Sequence, residues 1–205
     1  MDQRYPFPVE PLPYSFVSLM PRCDADTLYY HYGHYVSAVR RLNRLADRYG
    51  LTGSTLNQLL FDELPVPTAV ENDFRDTAGE VYNHRLYFRS LYSPVNRVPD
   101  NSLTRAIAAA YGSLEELSRL AAQAAGSVYG SGWLWLIVEG GDLHLSVTKD
   151  NHTPDLRAVT PVLCADLWEH AYWTRHQFDR RAYLQDWFSL LNWEEADSRY
   201  QGAET

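Results

Sequence analysis

Apolar and polar residues follow two rhythms along the chain, helical through the first half and strand-like in a block of the second. After a proline-punctuated stretch, residues 1–23, predicted to run extended around the body, the pattern "DADTLYYHYGHYVSAVRRLNRLADRYG" predicts one long helix. It starts at Asp24 as N-cap, runs to about Tyr49 and is closed by Gly50. A short helical piece follows at Thr55–Asp62. Beyond the break "LPVP", Thr68 to Leu91 predicts a second long helix, with Tyr82, Leu86 and Phe88 among its apolar positions and Pro94 just past its end.

The rhythm then changes. Ser102–Tyr111 and Leu114–Ala125 are expected to be helical, the latter opened by Ser113 with Glu116 three residues on, a capping-box signature. "GWLWLIV" (132–138), "DLHLSVT" (142–148) and "TPVLCA" (160–165) read as strands, the first two separated by the turn-like "EGG". Helices at about Leu167–Phe178 and Arg180–Leu191 complete the expectation. The fold class is α+β: an N-terminal helical hairpin domain (1–93), then a C-terminal α/β domain (94–205) with a small, about three-stranded antiparallel sheet. There is no internal repeat.

Composition narrows the function classes. The 205 residues are 45% hydrophobic and 21% charged, as in a globular domain with a real core. The aromatic share of 14%, including 15 Tyr and 6 Trp, points either to an aromatic core or to rigid rings walling in a site. A net charge of −8 argues against a nucleic-acid partner, yet leaves room for a small anion drawn by a few arginines. Cys23 and Cys164 lie far apart without zinc-type spacing, which suggests a reducing compartment. The opening residues lack a signal-peptide pattern and no segment offers about 18 uncharged apolar residues, so the expected location is cytoplasmic, with no membrane partner.

The chemistry concentrates in polar residues set among rings. Of seven histidines, His31, His84 and His170 fall on predicted helices among apolar neighbours, where an unpaired imidazole is costly to bury. One account is ordinary: each ring is hydrogen-bonded within a core. The other is joint. In "CADLWEHAYW" the i, i+4 spacing of Asp166 and His170 would place both on one helix-start face, where they could meet His31 and His84 around one ion. Three imidazoles and a carboxylate suit iron, manganese or zinc better than calcium or magnesium.

The same residues carry a resemblance. "LPYSF", "YHYG" (30–33), "NHRLYF" (83–88), "YGSGWLWLIV" (129–138), "DLWEHAYW" (166–173) and "LLNW" (190–193) occur in the order found in iron/manganese superoxide dismutases, and the chain resembles that family from end to end. The resemblance implies His31, His84, Asp166 and His170 as ligands of one Fe or Mn ion per subunit. It also implies a ping-pong cycle between M³⁺ and M²⁺ that turns superoxide into dioxygen and hydrogen peroxide. Trp133 and Trp168 match rings around the family's metal, and Arg180 matches an arginine at the substrate entrance. Glu169 matches a glutamate that reaches His170 of the partner subunit, implying a homodimer or possibly a tetramer.

The chain departs from the family at three places. The gate tyrosine expected eight residues after His31 is replaced by Val39, or by Ala38 if one residue is deleted. The histidine expected four residues after it is Tyr35, or His34 on the shifted alignment. The solvent-bonding glutamine of iron-type members is Glu80, and the sheet-borne alternative of manganese-type members falls near Asn151 and His152. The tyrosine usually found after "HAY" is Trp173. These changes leave two alternatives beside a dismutase: a repurposed metalloenzyme acting on another small molecule or O₂, and a non-catalytic dismutase-like protein.

Overall fold

The structure is a computed structural model that describes residues 2–92 and 97–203. Helix α1 spans Ala25–Tyr49 and ends at Gly50, whose φ of 72° is the left-handed cap geometry that glycine adopts without a Cβ penalty. Helix α2 (Leu56–Phe61) opens on a complete capping box between Thr55 and Gln58. Helix α3 (Thr68–Arg89) packs along α1 to form the expected hairpin. The N-terminal segment lies on this hairpin as an extended strap: Asn43 accepts from Phe7 N and donates to Phe7 O, both at 2.8 Å, and Tyr14 donates to Phe88 O.

Pro94 and the 93/94 domain boundary lie outside the described residues. Helix α4 (Ser102–Tyr111) starts on a capping box of Asn101 with Thr104. Helix α5 (Leu114–Gly126) starts on Ser113, which accepts from Glu116 N. The Glu116 side chain does not complete the box; it pairs with Arg119 at 2.6 Å instead. Strands β1 (Gly132–Glu139), β2 (Asp142–Lys149) and β3 (Thr160–Asp166) form an antiparallel sheet in the order β2-β1-β3. The central position of β1 explains its unbroken apolar run: seven of its eight residues are buried.

Two expectations need correction. The segment Leu167–Phe178 is not one helix, and Asp166 is the last residue of β3, opposite Trp133. Asp166 Oδ1 accepts from Trp168 N at 2.8 Å, a local side-chain bond that turns the chain out of the strand. A 3₁₀ turn (Glu169–Ala171) and a short helix α6 (Trp173–His176) follow, and Gln177 at φ 48° ends α6. The second correction is an addition. After α7 (Arg180–Ser189) comes α8 (Trp193–Ala203), whose buried Trp193, Ala196, Asp197 and Tyr200 show the i, i+3, i+4, i+7 spacing of a helix face. Both α3 and α8 pack against β3, and the 3₁₀ turn packs against α1, so the end of β3 faces the two long helices of the hairpin.

Candidate metal centre

Four side chains from four elements of the fold meet where β3 ends. His31 is on α1, His84 on α3, Asp166 at the end of β3 and His170 in the 3₁₀ turn; one donor atom from each lies within 4.8 Å of the others. Asp166 Oδ2 is the focus: His31 Nε2 is 2.9 Å away, His170 Nε2 3.1 Å and His84 Nε2 3.6 Å. His31, His84 and Asp166 are buried, and His170 is partly so.

Burial and pairing set the charges. Burial alone would raise the Asp166 carboxyl, but the adjacent His170 and His31 hold it well below the usual carboxylate range. Burial pulls His31 down to about 4 and His84 to about 3, so both rings are neutral at physiological pH. For His170 the burial effect is outweighed by the Asp166 charge, and its pKa is raised.

The hydrogen bonds show what the cluster lacks. His84 Nδ1 bonds to the carbonyl of Glu80 at 2.8 Å, so Nδ1 carries the proton and Nε2 presents a lone pair. That buried Nε2 has no hydrogen-bond partner among the described residues, and a carboxylate oxygen, Asp166 Oδ2, lies 3.6 Å from it. Two acceptors facing each other in a buried cage repel unless a cation lies between them. The donor set of three imidazole nitrogens and one carboxylate oxygen is one that iron and manganese accept.

Rings wall the cluster. Trp133 stands edge-on to His84 at 5.1 Å, Trp168 stacks on His170 at 5.9 Å and His34 stacks on the same ring at 4.3 Å. Tyr87 and Phe88 pack on His31 at 4.8 and 4.9 Å. Sequence reasoning assigned these two no role at the site, although their place three and four residues after His84 was the available signal. Glu80, one helical turn before His84, is partly buried. Burial and Asp76 raise its carboxyl to about 7 while His170 pulls the other way, a balance that puts it within the electrostatic reach of the cluster.

Other residues singled out from the sequence lie differently. Tyr35 is buried with its ring 6.5 Å from His84, but its hydroxyl is turned to Glu10 N at 3.0 Å. Ala38 and Val39 are buried on α1. Asn151 is buried and accepts through its backbone oxygen from Asn83, whereas His152 is exposed. Arg180 grips the carbonyls of Ala125, Val128, Gly130 and Leu167 and also donates to Tyr172 Oη. Glu169 is exposed, and Trp173 pairs edge-on with Phe178 at the surface.

A buried acceptor cluster of this composition, held where a helical hairpin meets an α/β domain, is the centre of a mononuclear metalloprotein. Comparison with known proteins gives the particular kind. Residues 6–92 match the iron/manganese superoxide dismutase alpha-hairpin domain, and residues 99–199 match the C-terminal domain of the same family. The chain is 31% identical over 201 residues to superoxide dismutase [Mn] 3 of Leptolyngbya boryana, covering 97% of this chain and 84% of that relative. It belongs to the iron/manganese superoxide dismutase family, oxidoreductases with one iron or manganese ion per subunit.

Proposed function

We propose that this protein dismutates superoxide at the centre built by His31, His84, Asp166 and His170. The observation that carries the reading is the lone pair of His84 Nε2 facing Asp166 Oδ2 at 3.6 Å inside a buried cage. Bound iron or manganese supplies the one-electron redox cycle through which one superoxide leaves as dioxygen and another as peroxide. The chain's own residues do the rest. Asp166 brings one negative charge that lowers the cationic charge of the site, and the Glu80 carbonyl keeps His84 in the tautomer that directs Nε2 inward. Glu80, whose carboxyl is raised to about 7 chiefly by burial, takes the place of the amide donor when it is protonated. Trp133, Trp168, Tyr87 and Phe88 keep bulk water from the ligands.

In the same reading the protein is a homodimer. Exposed Glu169 bonds His170 of the partner subunit, with His34 and Trp173 at or near the interface. It works in the cytoplasm, in keeping with two free cysteines, and its domains divide at 93/94. Among the described residues no helix is long and apolar enough to cross a membrane.

Metal analysis of the native protein, followed by superoxide-disappearance assays on iron- and manganese-reconstituted samples, tests the activity. Bound metal with no dismutation in either form would replace this reading with a repurposed centre acting on another small molecule or O₂. Failure to bind metal even after reconstitution would leave a structural role. For the dimer, Glu169→Gln should shift sedimentation toward the monomer and speed metal loss; unchanged sedimentation would refute the interface role.

A further inference from the structure

Of the four residues at the centre, His170 has the shortest element behind it. His31 and His84 stand on helices of 25 and 22 residues and Asp166 ends a strand of the sheet, whereas His170 lies in a 3₁₀ turn of three residues. A long element holds its own ligand in place, and a turn needs support from elsewhere. The His170 ring is fixed by Asp166 at 3.1 Å and by stacking on Trp168 and His34, but these contacts do not hold the backbone that carries it.

Arg180, the first residue of α7, supplies that support. Its Nη2 donates to Leu167 O at 3.2 Å and to Tyr172 Oη at 3.2 Å, and its Nε reaches the same Oη at 3.4 Å. One guanidinium thus grips the chain on both sides of His170. Leu167, next to Asp166, is held twice, because its N–H donates to Gly132 O at 2.9 Å. The Tyr172 ring lies under the guanidinium at 5.7 Å and stacks on Tyr183 at 5.1 Å.

The fork is anchored in the segment before β1. Nη1 donates to Ala125 O at 3.3 Å and to Val128 O at 2.8 Å, and Nη2 to Gly130 O at 2.8 Å. Gly130 turns at φ 86°, a conformation that glycine adopts without strain. A cation in the first turn of α7 opposes that helix's dipole, and the carbonyls at the C-terminal end of α5 supply the compensating partial charge. Every N–H of the guanidinium therefore faces an oxygen of the chain, which leaves none directed at a small anion.

We propose that Arg180 is a positioning residue of the metal centre: by gripping Leu167 and Tyr172 it fixes the turn that carries His170, through the geometry of its fork and not through its charge. This rests on metal binding by His31, His84, Asp166 and His170, and its readouts do not depend on whether the centre dismutates superoxide. The full-length protein and its Arg180→Lys and Arg180→Gln variants are loaded with manganese(II). Metal loss to excess EDTA is then followed together with the electron paramagnetic resonance spectrum. Lysine keeps the charge but not the fork, and glutamine keeps neither. Both variants are expected to lose metal about tenfold faster than the parent, the lower end of what supports of metal ligands ordinarily contribute, with altered zero-field splitting. Charge alone predicts the opposite: a parent-like Arg180→Lys, and an Arg180→Gln that holds the metal longer once a nearby positive charge is gone. Asn43→Ala, which loosens the strap without touching this turn, is the destabilised control and should keep the parent's rate and spectrum. Should Arg180→Lys not fold, Tyr172→Phe, which removes only the shared Oη, decides by the same readouts, with a smaller acceleration in the same direction. Parental rate and spectrum in Arg180→Lys, slower loss in Arg180→Gln, or equally fast loss in Asn43→Ala overturns the proposal alone. A parent protein that takes up no metal overturns the centre and the proposal with it.

Discussion

Gly79 puts helix propensity against packing, and the structure says which wins. It lies within α3, one residue before Glu80, and replacing glycine by alanine inside a helix ordinarily stabilises by about 1 kcal/mol. Here an alanine Cβ would lie 2.0 Å from the backbone oxygen of Asn151 and 3.3 Å from Thr153 Oγ1. Ordinary contact begins near 3.4 Å, so helix and loop must separate by roughly 1.4 Å, and the close partner is backbone rather than a movable side-chain tip. The separation breaks the 3.2 Å bond from Asn83 Nδ2 to Asn151 O, about 1 kcal/mol, and adds about 1–3 kcal/mol of overpacking. After the propensity gain is subtracted, Gly79→Ala should destabilise by about 1–3 kcal/mol. That lowers the melting temperature by about 2–12 °C for a chain of this length, read by differential scanning calorimetry. A melting temperature at or above that of the parent protein would show that the loop yields freely and that the contact places neither Asn151 nor Glu80.

Glu80→Gln should stabilise the metal-free protein at pH above about 7 and do little below about 4.5. A carboxyl whose folded pKa is raised to about 7 lowers stability as pH rises between the unfolded and folded values; melting curves across that range check the sign. The metal-free protein should lose stability as pH falls from about 6.5 toward 4, because His31 and His84 are kept neutral by burial while the unfolded chain takes up their protons. His170 works in the opposite direction: its raised pKa contributes stability that is full below its unfolded value and fades as pH rises through the folded one. Glu80 acts in the same sense as His170, whereas His34 and His176, both lowered chiefly by burial, join His31 and His84; with four groups against two the net effect is acid lability, and denaturant titrations at stepped pH would contradict it if the midpoint stayed flat. Asn43→Ala removes both bonds to Phe7 and should cost about 2–3 kcal/mol, with faster hydrogen exchange at the Phe7 amide; unchanged exchange would mean that the strap is held elsewhere.

Much of this fold was legible because its signals are local. Gly50 ending α1, Asn101 and Ser113 opening α4 and α5, and the apolar run of β1 act within a few residues, and each element lies where its pattern places it. The error at Asp166 has the same root. An i, i+4 spacing is compatible with a helix face and with a strand end followed by a tight turn, and the choice was made by the pairing of β3 with β1, a contact 33 residues away in sequence. Helix α8 was overlooked although Asn192 caps it through Glu195 N at 3.2 Å, since its buried face includes an aspartate and breaks the apolar rhythm.

By itself, the sequence determined the kind of centre: three imidazoles and a carboxylate are chemistry that no packing can create. Only the tertiary structure decided what surrounds them. It turned Tyr35 toward Glu10, drew Arg180 onto four carbonyls and brought Tyr87 and Phe88 against His31. The physical reason is that residue type sets which interactions are possible, whereas burial and orientation depend on contacts between segments far apart in the chain, where local pattern carries no information.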